Sequence, residues 1–151
     1  MLKIILIALS GLVVAVAISA SFVCPCERIP GGYLLGAVDQ SAIEDWSFAN
    51  DVGLCELEVS GVLPHSVTLN CMADQGELFI SCSRCDGKYW SGVALANPDG
   101  RIRIGDMIYP VALRKLDDAE TLDRAWIARV TKLNQQGERP DHWWSFELTS
   151  R

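Results

Sequence analysis

Between residues 55 and 148 the chain is built from short stretches in which apolar and polar side chains alternate. That period of two commits most of this region to strands buried on one face. Cys55, Leu57 and Val59 alternate with Glu56 and Glu58, and Val67, Leu69 and Cys71 alternate with Ser66, Thr68 and Asn70. Asp74-Gln75-Gly76 supplies a turn, and Leu78 to Cys82 returns as the other arm of a hairpin. A second hairpin runs from Arg101 to Ile104, turns at Gly105-Asp106 and returns from Met107 to Leu113, with Pro110 marking an edge or a bulge. A last strand covers Trp143 to Leu148, with Trp144, Phe146 and Leu148 inward. Trp143 and Trp144 cannot share a face, so one of them is expected to be exposed beside His142, at a lid over the core in preference to a ligand rim or a membrane-facing edge.

Two stretches have helical spacing. Lys88 to Asn97 is one, stopped by Pro98. The other is capped by Asp117 or Asp118 and runs to about Leu133, with Leu122, Ala125, Trp126, Arg129 and Val130 in its stripe. Ahead of them, Pro30-Gly31-Gly32 marks a turn, Gly36 to Val38 a short strand, and Trp46 and Phe48 an edge of the core. The order predicts a mainly β (α+β) fold: a small antiparallel barrel with two helices.

Ahead of the barrel lies a segment of different character. Residues 1–23 hold one charge, Lys3, and Ile4 to Val23 are apolar or small. As a helix that run spans about 30 Å, enough to cross a bilayer. A signal anchor and a cleaved signal peptide both fit. Ala15/Ala17 or Ala17/Ser19 supply small residues for cleavage, while the missing polar region after the run favours the anchor. The expected organisation is residues 1–23 as signal anchor or signal peptide, 24–50 as linker and barrel entry, and 51–151 as the barrel domain. Lys3 keeps the N-terminus in the cytoplasm. The protein is then expected at the inner membrane in a single pass, its domain on the extracytoplasmic, periplasmic side.

Removing the lysine of that segment takes the net charge from −6 to −7. So acidic a domain is a poor nucleic-acid partner. Half the residues are hydrophobic and 21% charged, which excludes a disordered chain. Six cysteines suit an oxidising compartment. Cys24-Pro25-Cys26 is too closely spaced for an easy internal bridge. Cys82-Ser83-Arg84-Cys85 is a C-x-x-C pair, open to a local disulfide, plain thiols, redox exchange or metal binding. His65 and His142 stand far apart with no evident catalytic partners, so neither a hydrolase triad nor a zinc site is indicated. Glu56 with Glu58, and Arg101 with Arg103, are expected on solvated strand faces.

The stretch from Val67 to Leu113 resembles the split β-barrel flavoproteins, the pyridoxamine-5′-phosphate-oxidase-like superfamily. It is most similar to the deazaflavin-dependent nitroreductase branch. The likeness is carried by Trp90-Ser91-Gly92-Val93-Ala94-Leu95-Ala96-Asn97-Pro98 followed by Arg101-Ile102-Arg103-Ile104-Gly105. It implies FMN or a deazaflavin in a groove, commonly at a homodimer interface. By position, Thr68 and Asn70 would meet the ring and ribityl chain. Ser83, Arg84 and Lys88 would hold the phosphate near a helix N-terminus, with Trp90 packed beside them. Two departures stand out: Val93 replaces an asparagine common in that branch, and Cys85-Asp86-Gly87 interrupts the Ser-Arg-Lys run.

Two functions follow from this reading. One is an extracytoplasmic, membrane-anchored oxidoreductase whose chemistry comes from FMN or a deazaflavin, with no catalytic side chain of its own. The alternative is a non-catalytic binding or accessory module of the cell envelope that needs no cofactor.

Overall fold

The computed structural model describes residues 2–20, 30–82 and 84–151. Seven strands are present: β1 (Ala37–Val38), β2 (Cys55–Ser60), β3 (Pro64–Asp74), β4 (Glu77–Cys82), β5 (Asp99–Ile104), β6 (Met107–Lys115) and β7 (Trp144–Ser150). The helices are α1 (Leu2–Ala20), α2 (Tyr89–Ala96) and α3 (Ala119–Lys132), with a 3-10 helix over Ser47–Asp51. The strand order is β1-β6-β5-β2-β3-β4-β7, and β6 also pairs with β7. That last pairing closes β2 to β7 into a six-stranded antiparallel barrel, the expected architecture. β1 is a short parallel addition outside it.

The alternating side chains explain the barrel directly. Leu57, Val59, Leu69, Cys71, Leu78, Ile80, Ile102, Ile104, Val111, Leu113, Phe146 and Leu148 point inward and form one core. The β3–β4 hairpin turns at Gln75 and Gly76, both with positive φ (52° and 84°), the geometry that matches strand twist. Gly100 is required where β5 crosses β2: a Cβ there would stand 2.8 Å from the Glu58 carbonyl oxygen. Pro110 lies between the last β1 partner on β6, Ile108, and the first β7 partner, Val111. Its missing N–H therefore costs no ladder bond on that side.

The ends of the barrel are plugged. Trp90 and Ala94 of α2 enter the core at one end. At the other, Trp46 meets Phe48 and Tyr109 at centroid distances of 5.7 and 5.4 Å. The Asn50 side chain then acts as a strand partner, donating to the Ala73 carbonyl and accepting from the Ala73 N–H, both at 2.9 Å.

α3 covers the outside of the barrel. Asp118 caps it by accepting from the Thr121 N–H at 2.7 Å. Arg124 ties it to the β3–β4 hairpin through Asp74 at 2.9 Å and Glu77 at 3.0 Å. Beneath it lies a second cluster of Met72, Phe79, Leu116, Ala125 and Trp143. This corrects the expectation for the tryptophan pair. Trp143 is 5% exposed because α3 covers the outer face, and Trp144 is half-buried under the Lys115 ammonium.

The N-terminal apolar segment is helical, with large aliphatic side chains such as Ile5, Leu6, Leu9, Leu12, Val16 and Ile18 exposed. Among the described residues no helix is long and apolar enough to cross a membrane. The apolar run continues to Val23, but residues 21–29, including Cys24 and Cys26, lie outside the described part. The expectation of a spanning helix is therefore not met by α1.

Among the described residues two disulfides are formed, Cys55–Cys71 between β2 and β3 and Cys82–Cys85 within the C-x-x-C motif. Their sequence separations are 16 and 3. In the chain-entropy view the longer loop stabilises by about 3 kcal/mol and the shorter by about 2 kcal/mol. Replacing Cys55 and Cys71 together by Ala should lower the urea midpoint more than replacing Cys82 and Cys85. Equal losses would show that loop length does not govern either bridge.

Candidate functional site

The outer wall of β3, β2 and β5 carries a ladder of charges. Register places Glu56 beside Arg103 and Glu58 beside Arg101. Arg103 donates to Glu56 at 2.5 Å, and Arg101 donates to both oxygens of Glu58, at 3.2 and 2.5 Å. These four residues neutralise one another, so neither a solvated carboxylate pair nor a free anion site exists there.

The same ladder holds a strap of chain, residues 31–35, against the wall. Gly31 exchanges backbone bonds with Ser66 at 2.8 and 2.9 Å. The Leu34 N–H donates to Glu58 at 2.6 Å, and its carbonyl accepts from Arg101 at 3.2 Å. Arg103 donates to the Leu35 carbonyl at 2.6 Å. Glu58 is only 8% exposed and Leu34 is buried beneath the strap. Part of the segment expected to be linker is thus a structural cover.

Thr68 and Asn70 are half-exposed on β3. Their alternation with Val67, Leu69 and Cys71, which join the core, puts them on the outer wall. Asn70 pairs with Ser81. Ser81 lies one residue before the end of β4 at Cys82, and Thr68 pairs with Glu56 of β2. Arg84 and Lys88 are exposed on the loop from β4 to α2, and neither has an ion-pair partner among the described residues. Ser83 lies outside the described residues. Trp90 is 2% exposed, with its ring 5.4 Å from Phe146 inside the barrel, so it supports α2 from below.

Lys88 also lines an open groove of about 420 Å³ along α2, with Asp86, Gly87, Tyr89, Ser91 and Trp144 among its walls. Cys82 and Cys85 are buried in the barrel core. Ser91 donates to the carbonyls of Cys85 and, at 2.9 Å, Lys88, which fixes the loop to the first turn of α2. Two hydroxyls of the outer wall, Ser66 and Ser81, are buried without a partner among the described residues and flank Thr68 and Asn70. Two exposed cations beside an open groove at one end of the barrel fit an anionic ligand, while Ser66 and Ser81 are too deeply buried to reach one. Asp86 opposes that charge.

Sequence reading missed Lys132. Its ammonium donates to the carbonyls of Ala49 at 2.7 Å and Cys71 at 2.5 Å, joining the 3-10 helix, β3 and α3. Burial pulls its pKa below the ordinary lysine value, and Asp51 works against that shift. It was hidden because it ends a polar helix face, where a lysine is ordinarily solvated. The Cys55–Cys71 bridge did leave a signal, since both cysteines fall on the apolar faces of neighbouring strands.

No protein-family model matches the sequence, and no curated protein does. Solved structures do. A candidate pyridoxamine 5′-phosphate oxidase from Listeria innocua is similar with a TM-score of 0.56 and 16% identity, over 69% of this chain and 88% of that one. A NimC/NimA family protein from Clostridium acetobutylicum gives 0.52 and 17%, over 68% and 76%. An FAD-binding protein from Mesorhizobium loti gives 0.53 and 16%, over 74% and 90%. At these identities the likeness establishes the fold, a split β-barrel of the kind expected from residues 67–113.

Two predictions follow. Glu58→Gln removes the charge that holds Arg101 and the Leu34 N–H, and should destabilise the domain by roughly 2 kcal/mol. Hydrogen exchange at residues 31–36 should accelerate, and unchanged exchange there would mean that the strap is held by something else. His65 packs edge-on against Tyr89 at 4.8 Å, and burial lowers its pKa. The unfolded chain therefore takes up this proton first as pH falls below about 6.5. Stability should decline from there down to the lowered folded-state value, and His65→Phe should flatten that part of a urea-midpoint profile.

Proposed function

We propose that this split barrel binds a phosphate-bearing flavin or deazaflavin and acts as an oxidoreductase through it. The observation that carries the reading is a pair of cations, Arg84 and Lys88, without an ion-pair partner among the described residues, on one loop beside an open groove, in a barrel whose structural neighbours include an FAD-binding protein. Arg84 and Lys88 would hold the phosphate by charge-assisted bonds. Thr68 and Asn70 would meet the polar edges of the ring and ribityl chain. The bound group would supply the hydride or electron transfer. The chain's own residues bind and orient it, and none is proposed as a proton donor or nucleophile.

The apolar α1 and the two disulfides support an envelope location, with the domain on the oxidising, extracytoplasmic face of the inner membrane. A homodimer belongs to the same reading. Asp86 on the groove wall and Trp90 inside the core favour the alternative of a non-catalytic binding module that takes no cofactor.

Absorption titration separates the two. The full chain should bind FMN and a deazaflavin with a shifted visible band. Arg84→Ala and Lys88→Ala should each weaken FMN binding about tenfold while leaving riboflavin, which lacks the phosphate, little affected. A colourless protein that titrates with neither cofactor would retire the oxidoreductase reading.

A further inference from the structure

The β2–β3 hairpin ends in an unusual tip. Val62 is 98% exposed and Leu63 is 68% exposed, in a turn where polar residues are the rule. No charged side chain stands between Ser60 and His65. The tip is continuous with α2: a Cβ at Gly61 would lie 2.9 Å from the Tyr89 hydroxyl and 3.4 Å from Val93, and Asn97 donates to the Ser60 carbonyl at 3.0 Å. Tyr89 and Leu95 are exposed on α2, and the groove between α2 and Trp144 is walled largely by apolar atoms.

The rim of this apolar surface is cationic and aromatic. Lys88 lines the groove, Arg84 is exposed on the same loop, and the Lys115 ammonium sits 3.7 Å above the Trp144 ring. Asp86 is the carboxylate among them. Aliphatic centre, tyrosine and tryptophan at the edge, and basic residues around them are what a bilayer interface selects. Cations gathered at one end of a domain of net charge −7 match an anionic surface.

The chain enters at this end too. Gly31 pairs with Ser66, close to the Pro64 start of β3. The residues between Ala20 and Gly31 reach at most about 40 Å, so the exposed aliphatic α1 stays within reach of any surface the tip touches.

We infer that the α2 end of the barrel is a docking surface for an anionic lipid bilayer, with Val62 and Leu63 inserted at the headgroup boundary and Lys88, Lys115 and Arg84 on the lipid phosphates. The inference stands on the patch itself. It extends the envelope reading of α1 without needing that helix to span.

The test is peptide-resolved hydrogen exchange on the full chain, reconstituted with vesicles of phosphatidylcholine alone or mixed with phosphatidylglycerol. Wild type is compared with the double variant Val62→Asp/Leu63→Asp, whose changes lie in solvent. On the anionic vesicles, amides of residues 60–65 and 88–97 should exchange about tenfold or more slowly in wild type than in the variant. On phosphatidylcholine alone the difference should shrink, and exchange in β4 and β6 should be the same in both proteins. Protection of residues 2–20 with no protection of the patch overturns the docking surface and leaves α1 as the membrane contact. Protection of the patch without residues 2–20 supports docking and removes the anchor. No protection at either place overturns both.

Discussion

Closure of the sheet between β6 and β7 is the constraint on which the rest depends. An open six-stranded sheet would leave two edges and one uncovered apolar face. Pairing Val111 through Lys115 with Phe146 through Ser150 removes both edges and turns every inward residue toward one interior. A barrel this narrow is filled by its own side chains. No room remains inside for a ligand, and the two ends must be stopped with something apolar. The Trp46–Phe48–Tyr109 group does this at one end and Trp90 with Ala94 at the other. Any site then has to lie on the outer wall or in the loops around the plugs.

The outer wall is mostly used already. α3 occupies the Met72–Phe79 side, and the strap at residues 31–35 occupies the Glu58–Arg101 side. The charges there are spent on holding the chain to itself. The strip bearing Thr68 and Asn70, and the exposed residues of the β4–α2 loop, stay open, as does the face of β6 and β7 with Arg114 and Thr149. The cations of the loop, without ion-pair partners among the described residues, therefore differ in kind from Arg101 and Arg103. The latter pair is positioned by two glutamates and two backbone carbonyls. Arg84 and Lys88 are left to solvent or to a partner.

The barrel was legible in the sequence because period-two alternation and turn residues are local signals. Cys55 to Val59, the Gln75-Gly76 turn and the Asp118 cap all took the places that their chemistry prescribes. What stayed illegible depended on contacts distant in sequence. Trp143 reads as exposed on its own strand and is buried only because α3 lies over it. Arg101 and Arg103 read as a solvated face until register sets Glu56 and Glu58 beside them. Lys132 reads as a helix-end cation and instead joins two carbonyls more than sixty residues away. For the candidate site, spacing brought Arg84 and Lys88 onto one loop. Trp90 went to the core because an aromatic at that point of α2 does more as a plug than as a surface.

The placement of the plug links fold to function. Because α2 sends Trp90, Ser91 and Ala94 inward, its opposite side, with Tyr89 and Leu95, is turned outward. The loop that delivers α2 from β4 is fastened by Cys82–Cys85 and by the bonds of Ser91, so its cations are presented from a held backbone. The neighbouring hairpin adds Val62 and Leu63 at the same end. Stopping one end of the barrel thus creates, as a geometric consequence, a surface with an apolar centre and a basic edge. A phosphate-bearing cofactor in the groove and an anionic lipid surface beneath it would draw on the same cations. If both ligands bind, they compete for Lys88, and the titration and the vesicle experiment then report on one another.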